Sequence, residues 1–464
     1  MDGQRLTASP RRRRSAKRVS ADERRPSVDK LVNSVKKLQR REIDSKLAKD
    51  FSMRNAPEMF RNIRLMEEYD IHEPKGDCAM VLPFLMNRTK VTEIAAARDI
   101  VFVLVKSGLC AAYSRVTNER ICFLNAGHDE VIRSLFYNKY NDSLITVLVY
   151  AADNFNSLKC RSTKIDDIKR GQPDAGFGIF ESESLKHPSY IEIDDVNGIV
   201  LTYSAENSIY KVFDLKRYTM LYSISGKDVE EIKTSPGIVL VIFNRASSHV
   251  PLKMLSVEDG TVLKSFKLQL HCNKKVQLIE QFNEKLFVKQ ENEKLQILNV
   301  HNMKLTEVSL NEFTTLSGYI CLFKSQLFLT FRNGSIAVWN FRGELVTSIE
   351  GPLLLKSDRK TNNIHVSNAE DLIISYCKAD AEDQGPDVDS GGVSININNI
   401  QTGRCLAKIN VDNGCPNAEE FSNDTSMRNR VADALRDITA IFYDEQRNEI
   451  YSGNMQGLVH MWSN

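Results

Sequence analysis

Residues 327–342, LFLTFRNGSIAVWNFR, contain the pattern on which the fold prediction depends. Leu327–Leu329 is a short apolar run, and Ile336–Trp339 contains β-branched and aromatic side chains, which are typical of strands. Between the two runs, Asn333-Gly334 accepts positive φ angles, as a tight turn between antiparallel strands requires. The stretch therefore predicts a β-hairpin whose second strand ends at the polar residue Asn340.

The same pattern of short strands and turns recurs from about residue 90 to residue 464, with a period of about forty to fifty residues. In the first unit, for example, it predicts strands at 92–96, 100–106, 110–115 and 121–124. Eight units can be distinguished, and seven is the alternative. They begin near Thr92, Val131, Tyr190, Val229, Lys275, Thr315, Asn363 and Asp437.

The two ends of the repeating region complement each other. The last unit has only three predicted strands, and the strand Met80–Leu85 precedes the first unit without belonging to one. Pro83 cannot donate a backbone hydrogen bond and therefore suits an outermost strand. We predict that Met80–Leu85 pairs with Leu458–Trp462, which would close the repeats into a ring.

Four short motifs resemble those of WD-repeat propellers: Val212-Phe213-Asp214, Val338-Trp339-Asn340, Met461-Trp462-Ser463 and Gly127-His128. The resemblance covers residues 78–464 and implies an all-β, WD40-like β-propeller closed by an N-terminal strand, with eight blades favoured although seven is commoner in that family. It also implies a rigid, non-enzymatic platform that binds other proteins. The chain also resembles uncharacterised plant propeller proteins, which implies no function.

Residues 1–26 form a basic tail that we expect to be disordered, with nine Lys or Arg among residues 1–25 against three acidic residues. The tail resembles a nuclear-import signal, so we expect the protein in the nucleus, or in both nucleus and cytoplasm. A solubilising tail and a nucleic-acid-binding arm are alternatives, although nucleic acid is not the partner we expect. Ser20 and Ser27 resemble sites of basic-directed kinases. The candidate import residues are Arg11, Arg12, Arg13, Arg14, Lys17 and Arg18.

Residues 27–77 are predicted to form a helical extension. A first helix, capped by Ser27, would carry one apolar stripe from Val28 to Leu38. A second helix would begin near Pro57 and present Met59, Phe60, Ile63 and Met66. The extension could be a partner helix or short coiled coil, or a stalk that packs on the propeller. The sequence leaves both open.

Composition excludes several classes of protein. No run approaches the eighteen apolar residues of a membrane span, and the N-terminus lacks an apolar signal core, so neither membrane insertion nor secretion is expected. The nine cysteines show no paired spacing, which fits a reducing compartment.

The sequence indicates no catalytic chemistry. The eight histidines show no metal-ligand spacing, and nucleophile-elbow, P-loop and dinucleotide motifs are absent. We therefore expect no enzyme, no cofactor and no metal. Glu181–Ser184 and Asp194-Asp195 would need a partner to act as acid and base, and the acidic stretch Asp380–Asp389 lacks the alternation of a calcium-binding loop. Catalytic residues spread over several blades would escape sequence reasoning.

The opening stretch also resembles the sixteen-residue box of WD-repeat substrate receptors for cullin–RING ubiquitin ligases. Trp339, Asn340 and Arg342 match its ending, and Phe331 departs from its small fifth residue. The resemblance implies that Arg342 contacts the ligase adaptor. A weaker copy at Leu201–Lys216 ends in Asp214 and Lys216. In any WD repeat, however, the Trp and the acid or amide also serve packing and turn formation.

Three insertions interrupt the repeats. They are Arg161–Ala175, Ala379–Gly392 and Asn413–Arg436. We expect the acidic second insertion to be disordered and the third to contain a packed or partner-bound helix with Val431, Ala432 and Leu435.

Overall fold

The protein is described from a computed structural model. It describes residues 59–72, 87–127, 129–155, 157–179, 185–186, 190–204, 207–246, 249–271, 274–282, 285–300, 302–308, 319–322, 324–332, 335–350, 363–378, 393–412 and 425–464.

These residues form eight antiparallel sheets, the blades of a β-propeller. In the first four blades the strands are, for blade 1, Val91–Ala97, Ile100–Val105, Cys110–Ser114 and Arg120–Phe123; for blade 2, Glu130–Asn138, Ser143–Tyr150, Ser157–Lys164 and the two short segments Phe177–Ile179 and Leu185–Lys186; for blade 3, Tyr190–Asp194, Ile199–Ser204, Ile209–Asp214 and Met220–Ser225; and for blade 4, Val229–Ser235, Ile238–Phe243, His249–Ser256 and Val262–Gln269. In the last four they are, for blade 5, Val276–Phe282, Lys285–Gln290, Leu295–Asn299 and Leu305–Val308; for blade 6, Tyr319–Leu322, Leu327–Arg332, Ser335–Asn340 and Leu345–Glu350; for blade 7, Ile364–Val366, Leu372–Lys378, Val393–Asn399 and Cys405–Ile409; and for blade 8, Ile438–Asp444, Glu449–Asn454, Leu458–Ser463 and the N-terminal Arg64–Asp70. The predicted WD40-like propeller of eight blades is confirmed.

The apolar core lies between the blades. Among the described residues there are eight buried clusters, each centred on one pair of neighbouring blades; the cluster of blades 8 and 1 also includes Val131 and Val149 of blade 2. One cluster joins blades 5 and 6 through Phe287 and Trp339, and another joins blades 8 and 1 through Tyr451 and Val103. Because the last pair is packed like the others, the ring is closed and every sheet buries both of its faces.

The predicted closing strand was wrong in its position. Arg64–Asp70 occupies the outer place of blade 8, with Leu65 opposite Trp462 and Asp70 opposite Leu458. The other side of Leu458–Ser463 pairs with Glu449–Asn454, so no place beside it remains for the predicted strand at 80–85, which lies outside the described residues.

The same finding corrects the second predicted helix. Met59, Phe60 and Ile63 precede the strand and Met66 lies at its bulge between Leu65 and Glu67, so no helix runs from Pro57 through Met66. Phe60 and Ile63 are buried in the core between blades 7 and 8. The propeller therefore includes residues that the sequence assigned to the helical extension, whose first helix lies outside the described residues.

Two helices and two 3-10 turns occur within the described residues. Helix α1 (Ile165–Lys169) and the turn Pro173–Ala175 follow the third strand of blade 2, so the first insertion begins later than predicted; the other 3-10 turn is Ala151–Asp153. Helix α2 (Thr425–Leu435) confirms the packed helix predicted in the third insertion, because Val431 and Leu435 are buried between blades 7 and 8. The second insertion lies outside the described residues.

Candidate protein-interaction face

Each blade is an antiparallel meander, so two of its connections lie at the same end of the sheet. These are the connection between the first and second strands, here called the inner turn, and that between the third and fourth strands, here called the outer turn. We call this end of the propeller the lower face. Arg342 lies in the outer turn of blade 6 and Lys216 in that of blade 3, so the structure places both predicted contact residues on the lower face.

The acid or amide at the end of the third strand caps the outer turn. Asn340 Oδ1 accepts hydrogen bonds from the backbone N–H groups of Arg342 (2.9 Å) and Glu344 (3.0 Å). Asp214 Oδ1 does the same for Lys216 (2.9 Å) and Arg217 (2.7 Å). Asn340 and Asp214 thus have a turn-forming role that needs no partner protein. The residues that end the third strand and cap the turn in this way are Ser114, Asp214, Ser256, Asn299, Asn340 and Asn399.

Trp339 belongs to the core rather than to a binding surface. It is fully buried, its Nε1 donates to Thr330 Oγ1 at 2.8 Å, and its ring stacks on Phe328. Trp462 repeats the arrangement in blade 8, where Nε1 donates to Ser452 Oγ at 2.8 Å. The Trp that carries the family resemblance therefore holds a third strand to a second strand within one blade.

The residue two positions after the cap is exposed and differs from blade to blade. Because packing does not fix its identity, this position can carry specificity for a partner. At this position stand Val116, Lys216, Glu258, Arg342 and Gln401, all exposed. Blade 5 has His301 here, which lies outside the described residues.

By contrast, the residue directly after the cap is buried. Its backbone N–H binds the inner turn of its own blade, as Leu215 does with the carbonyl of Gly198 at 2.8 Å and Phe341 with that of Gln326 at 3.2 Å. In five blades this residue is apolar: Leu215, Val257, Val300, Phe341 and Ile400. Blade 1 has Arg115 instead, which forms ion pairs with Asp444 and Glu449 of blade 8. Sequence reasoning missed this substitution, which the comparison of turn positions between repeats reveals.

Within the described part of the chain, polar contacts also join the first-to-second-strand regions of neighbouring blades at six of the eight junctions, which holds the lower face together there. These contacts are Arg447–Asp99 between blades 8 and 1, Arg98–Asp142 between 1 and 2, Tyr140–Asp195 between 2 and 3, Asn197–Ser235 between 3 and 4, Ser325–Glu370 between 6 and 7, and Asn368–Glu445 between 7 and 8.

No catalytic centre emerges from the described residues. No group of three or more His, Cys, Asp or Glu side chains among them could hold a metal ion. Asp194 caps a turn through its bonds to Val196 and Asn197. Burial raises the pKa of the Cys122 and Cys160 thiols to about 12, so both are protonated at neutral pH and poor nucleophiles.

Several predicted features lie outside the described residues. They are the import residues Arg11 to Arg14, Lys17 and Arg18, the candidate phosphosites Ser20 and Ser27, and His128. In the part of the chain that the structure describes, no helix has the length and apolar character needed to span a membrane.

The fold and the capped outer turns define this chain as an eight-bladed propeller with WD40-like blades. The chain belongs to the family described as "Domain of unknown function (DUF7899)", which it matches over residues 48–462. A search of curated proteins gave no match.

Three solved structures of low sequence identity are similar to this chain. The computationally designed Ika8 protein is 15% identical, with a TM-score of 0.48 over 82% of this chain and 97% of its own. BamB from Moraxella catarrhalis is 13% identical, with a TM-score of 0.41 over 87% of this chain and 98% of its own. The C-terminal WD40 domain of Sif2 is 10% identical, with a TM-score of 0.46 over 83% of this chain and 99% of its own.

Proposed function

We propose that this protein is a non-enzymatic scaffold that binds other proteins through its lower face. The observation that carries the proposal is that successive residues of each capped outer turn have different roles. One residue caps the turn, the next is buried in the blade, and the one after that is exposed and differs among blades. A surface whose backbone is fixed and whose exposed side chains are free to vary is what a specific binding face requires.

The test is a comparison of copurifying proteins. Tagged wild type is purified from cells beside a lower-face variant in which Lys216, Glu258 and Arg342 are Ala, and beside an upper-face variant in which Lys106 and Met455 are Ala. We expect partners recovered in stoichiometric amounts by wild type and by the upper-face variant, and lost by the lower-face variant. A wild-type protein that elutes alone from a native lysate would contradict the scaffold proposal.

The second candidate is a substrate receptor of a cullin–RING ubiquitin ligase. Its specific support is the exposure of Arg342 two residues after Asn340, on the same face as Lys216. A planar guanidinium held on a fixed turn is suited to paired hydrogen bonds with a partner. Affinity purification of wild type beside Arg342→Ala, with Gln401→Ala as the matched control, tests this candidate. Equal recovery of the ligase adaptor by wild type and Arg342→Ala, or recovery by neither, would refute it.

We also propose that the protein acts in the nucleus, on the basis of the basic run at Arg11–Arg14. Replacing these four residues with Ala in a fluorescently tagged protein should shift it to the cytoplasm. An unchanged distribution would exclude this run as the import signal.

A further inference from the structure

Two cationic side chains meet on the lower face where blades 5 and 6 join. Lys285 begins the second strand of blade 5, and its Nζ donates to the carbonyl of Phe341 at 2.8 Å. That carbonyl precedes Arg342, whose backbone the cap Asn340 fixes. Lys285 is therefore anchored on the same turn that presents the exposed Arg342 side chain.

Among the described residues, Lys285 and the outer turns of blades 5 and 6 contribute three cations, Lys285, Lys304 and Arg342, and one acid, Glu344. The pKa of Lys285 is lowered, first by burial and then by the charge of Arg342, while the charge of Glu344 opposes the shift. Among the described residues, neither cation forms an ion pair. Lys304 adds a third exposed cation, whereas Glu344 is the nearby acid, with Oε2 2.6 Å from Asn340 Nδ2.

Exposed apolar side chains begin the outer strands that follow these turns. Leu345 and Val346 begin the outer strand of blade 6 and are 50% and 43% exposed. Met303 and Leu305, at the start of the outer strand of blade 5, are each 49% exposed. Val308, at the other end of that strand, packs against Gly343 in the outer turn of blade 6, so the two blades are in contact at this turn.

The junction of blades 3 and 4 provides an internal comparison. Its outer strands also begin with exposed apolar residues, Met220 and Val262. There, however, the outer turns carry two cations, Lys216 and Arg217 on blade 3, and two acids, Glu258 and Asp259 on blade 4. Among the described residues, the turns of blades 5 and 6 thus carry more cations than acids, which favours a partner of opposite charge.

We propose that this junction binds an acidic amphipathic segment of a partner protein, which presents a carboxylate to Lys285 and Arg342 and apolar side chains to Leu305 and Leu345. The inference rests on the proposed scaffold function and names the chemistry of one partner. Lys285, which no sequence motif indicated, is a direct contact of the carboxylate, and its bond to the turn fixes its position before binding.

Binding of fluorescent peptides to the full-length protein tests the proposal. The probes are three twelve-residue peptides that alternate pairs of Glu and Leu, pairs of Lys and Leu, or pairs of Glu and Ser. We expect the Glu/Leu peptide to bind wild type at least tenfold more tightly than the other two. Arg342→Glu and Lys285→Gln should each weaken it at least tenfold, and Val116→Glu, at the equivalent turn position of blade 1, should not.

Photocrosslinking locates the bound peptide. A benzophenone side chain in place of Leu345 should capture the Glu/Leu peptide, whereas the same group in place of Met455, similarly exposed on the opposite face, should not. Three results would each overturn the proposal: wild type fails to bind the Glu/Leu peptide, Arg342→Glu and Lys285→Gln bind it as tightly as wild type does, or the peptide is captured at Met455. The scaffold function would still stand in those cases if wild type recovers protein partners that the lower-face variant loses.

Discussion

Arg115 joins blade 1 to blade 8 at the place where the ring closes. It follows the turn cap Ser114, in a position that other blades fill with an apolar side chain. Its Nη1 lies 2.7 Å from Asp444 Oδ2 and 3.5 Å from Glu449 Oε2, and its side chain is 2% exposed. The guanidinium also lies over the Tyr451 ring, 5.4 Å from its centroid. Replacing Arg115 should therefore weaken the closure of the ring.

The size of the effect follows from this burial. Removing one partner of a buried ion pair costs about 3–5 kcal/mol, because the other charge is left without compensation. Asp444 and Glu449 keep some contact with water, at 18% and 15% exposure, so we expect about 3 kcal/mol for Arg115→Ala. Arg115→Leu introduces the residue that blade 3 has at this position, Leu215, and fills the space with an apolar side chain. It still leaves two carboxylates without a cation, so it should recover little of the stability lost in Arg115→Ala. Adding Asp444→Asn and Glu449→Gln to Arg115→Leu should recover most of the lost free energy of unfolding.

Chemical unfolding in guanidinium chloride measures these differences in stability. Trp462 is fully buried in blade 8, so its fluorescence in a Trp339→Phe background reports on the blade that closes the ring. The midpoint should fall for Arg115→Ala and Arg115→Leu and rise again in the triple variant. Our electrostatic account is wrong if Arg115→Leu has the same unfolding midpoint as the Trp339→Phe protein, or if the triple variant is no more stable than Arg115→Leu. Apolar packing would then hold the junction of blades 8 and 1.

Three further changes test other parts of the structure. Trp339→Phe removes the bond to Thr330 and leaves a buried hydroxyl unpaired, which should cost about 1–3 kcal/mol in chemical unfolding; Thr330→Val in the same background should recover part of it. The hydrogen bond from His460 lowers the pKa of Glu68, so this carboxylate stabilises the fold at pH values above its ordinary pKa of 4.5. The contribution is lost as the pH falls through the lower pKa of the folded state. Glu68→Gln should therefore reduce the change in melting temperature over that pH range, and an unchanged pH profile would contradict this account. Gly343→Ala should destabilise by more than about 1 kcal/mol, because its φ of +83° disfavours a Cβ that would overlap blade 5, and a neutral result in thermal unfolding would show that the turn can shift.

The blades were predictable because their information is local. Apolar runs and turn residues placed the strands Ile209–Asp214 and Ile100–Val105 within a residue of their observed bounds. The closing strand was not, because its partner, Leu458–Ser463, lies near the other end of the chain. Arg115 and Lys285 were missed for a related reason. Arg115 pairs with a residue 329 positions away and Lys285 with one 56 positions away, and a single sequence does not record such contacts.

The outer turns separate the residues that make the fold from those that can select a partner. Caps such as Asn340 are required by the turn, and the residue that follows each cap is required by the core, so neither identifies a binding partner. Only the exposed position after them, Arg342 in blade 6, is free of both demands. Lys285 is bonded to the same turn, and two neighbouring cations attract one carboxylate more strongly than either cation alone. A partner that depends on Arg342 should therefore depend on Lys285 as well, whereas a protein that merely contacts the blade rim should tolerate both substitutions.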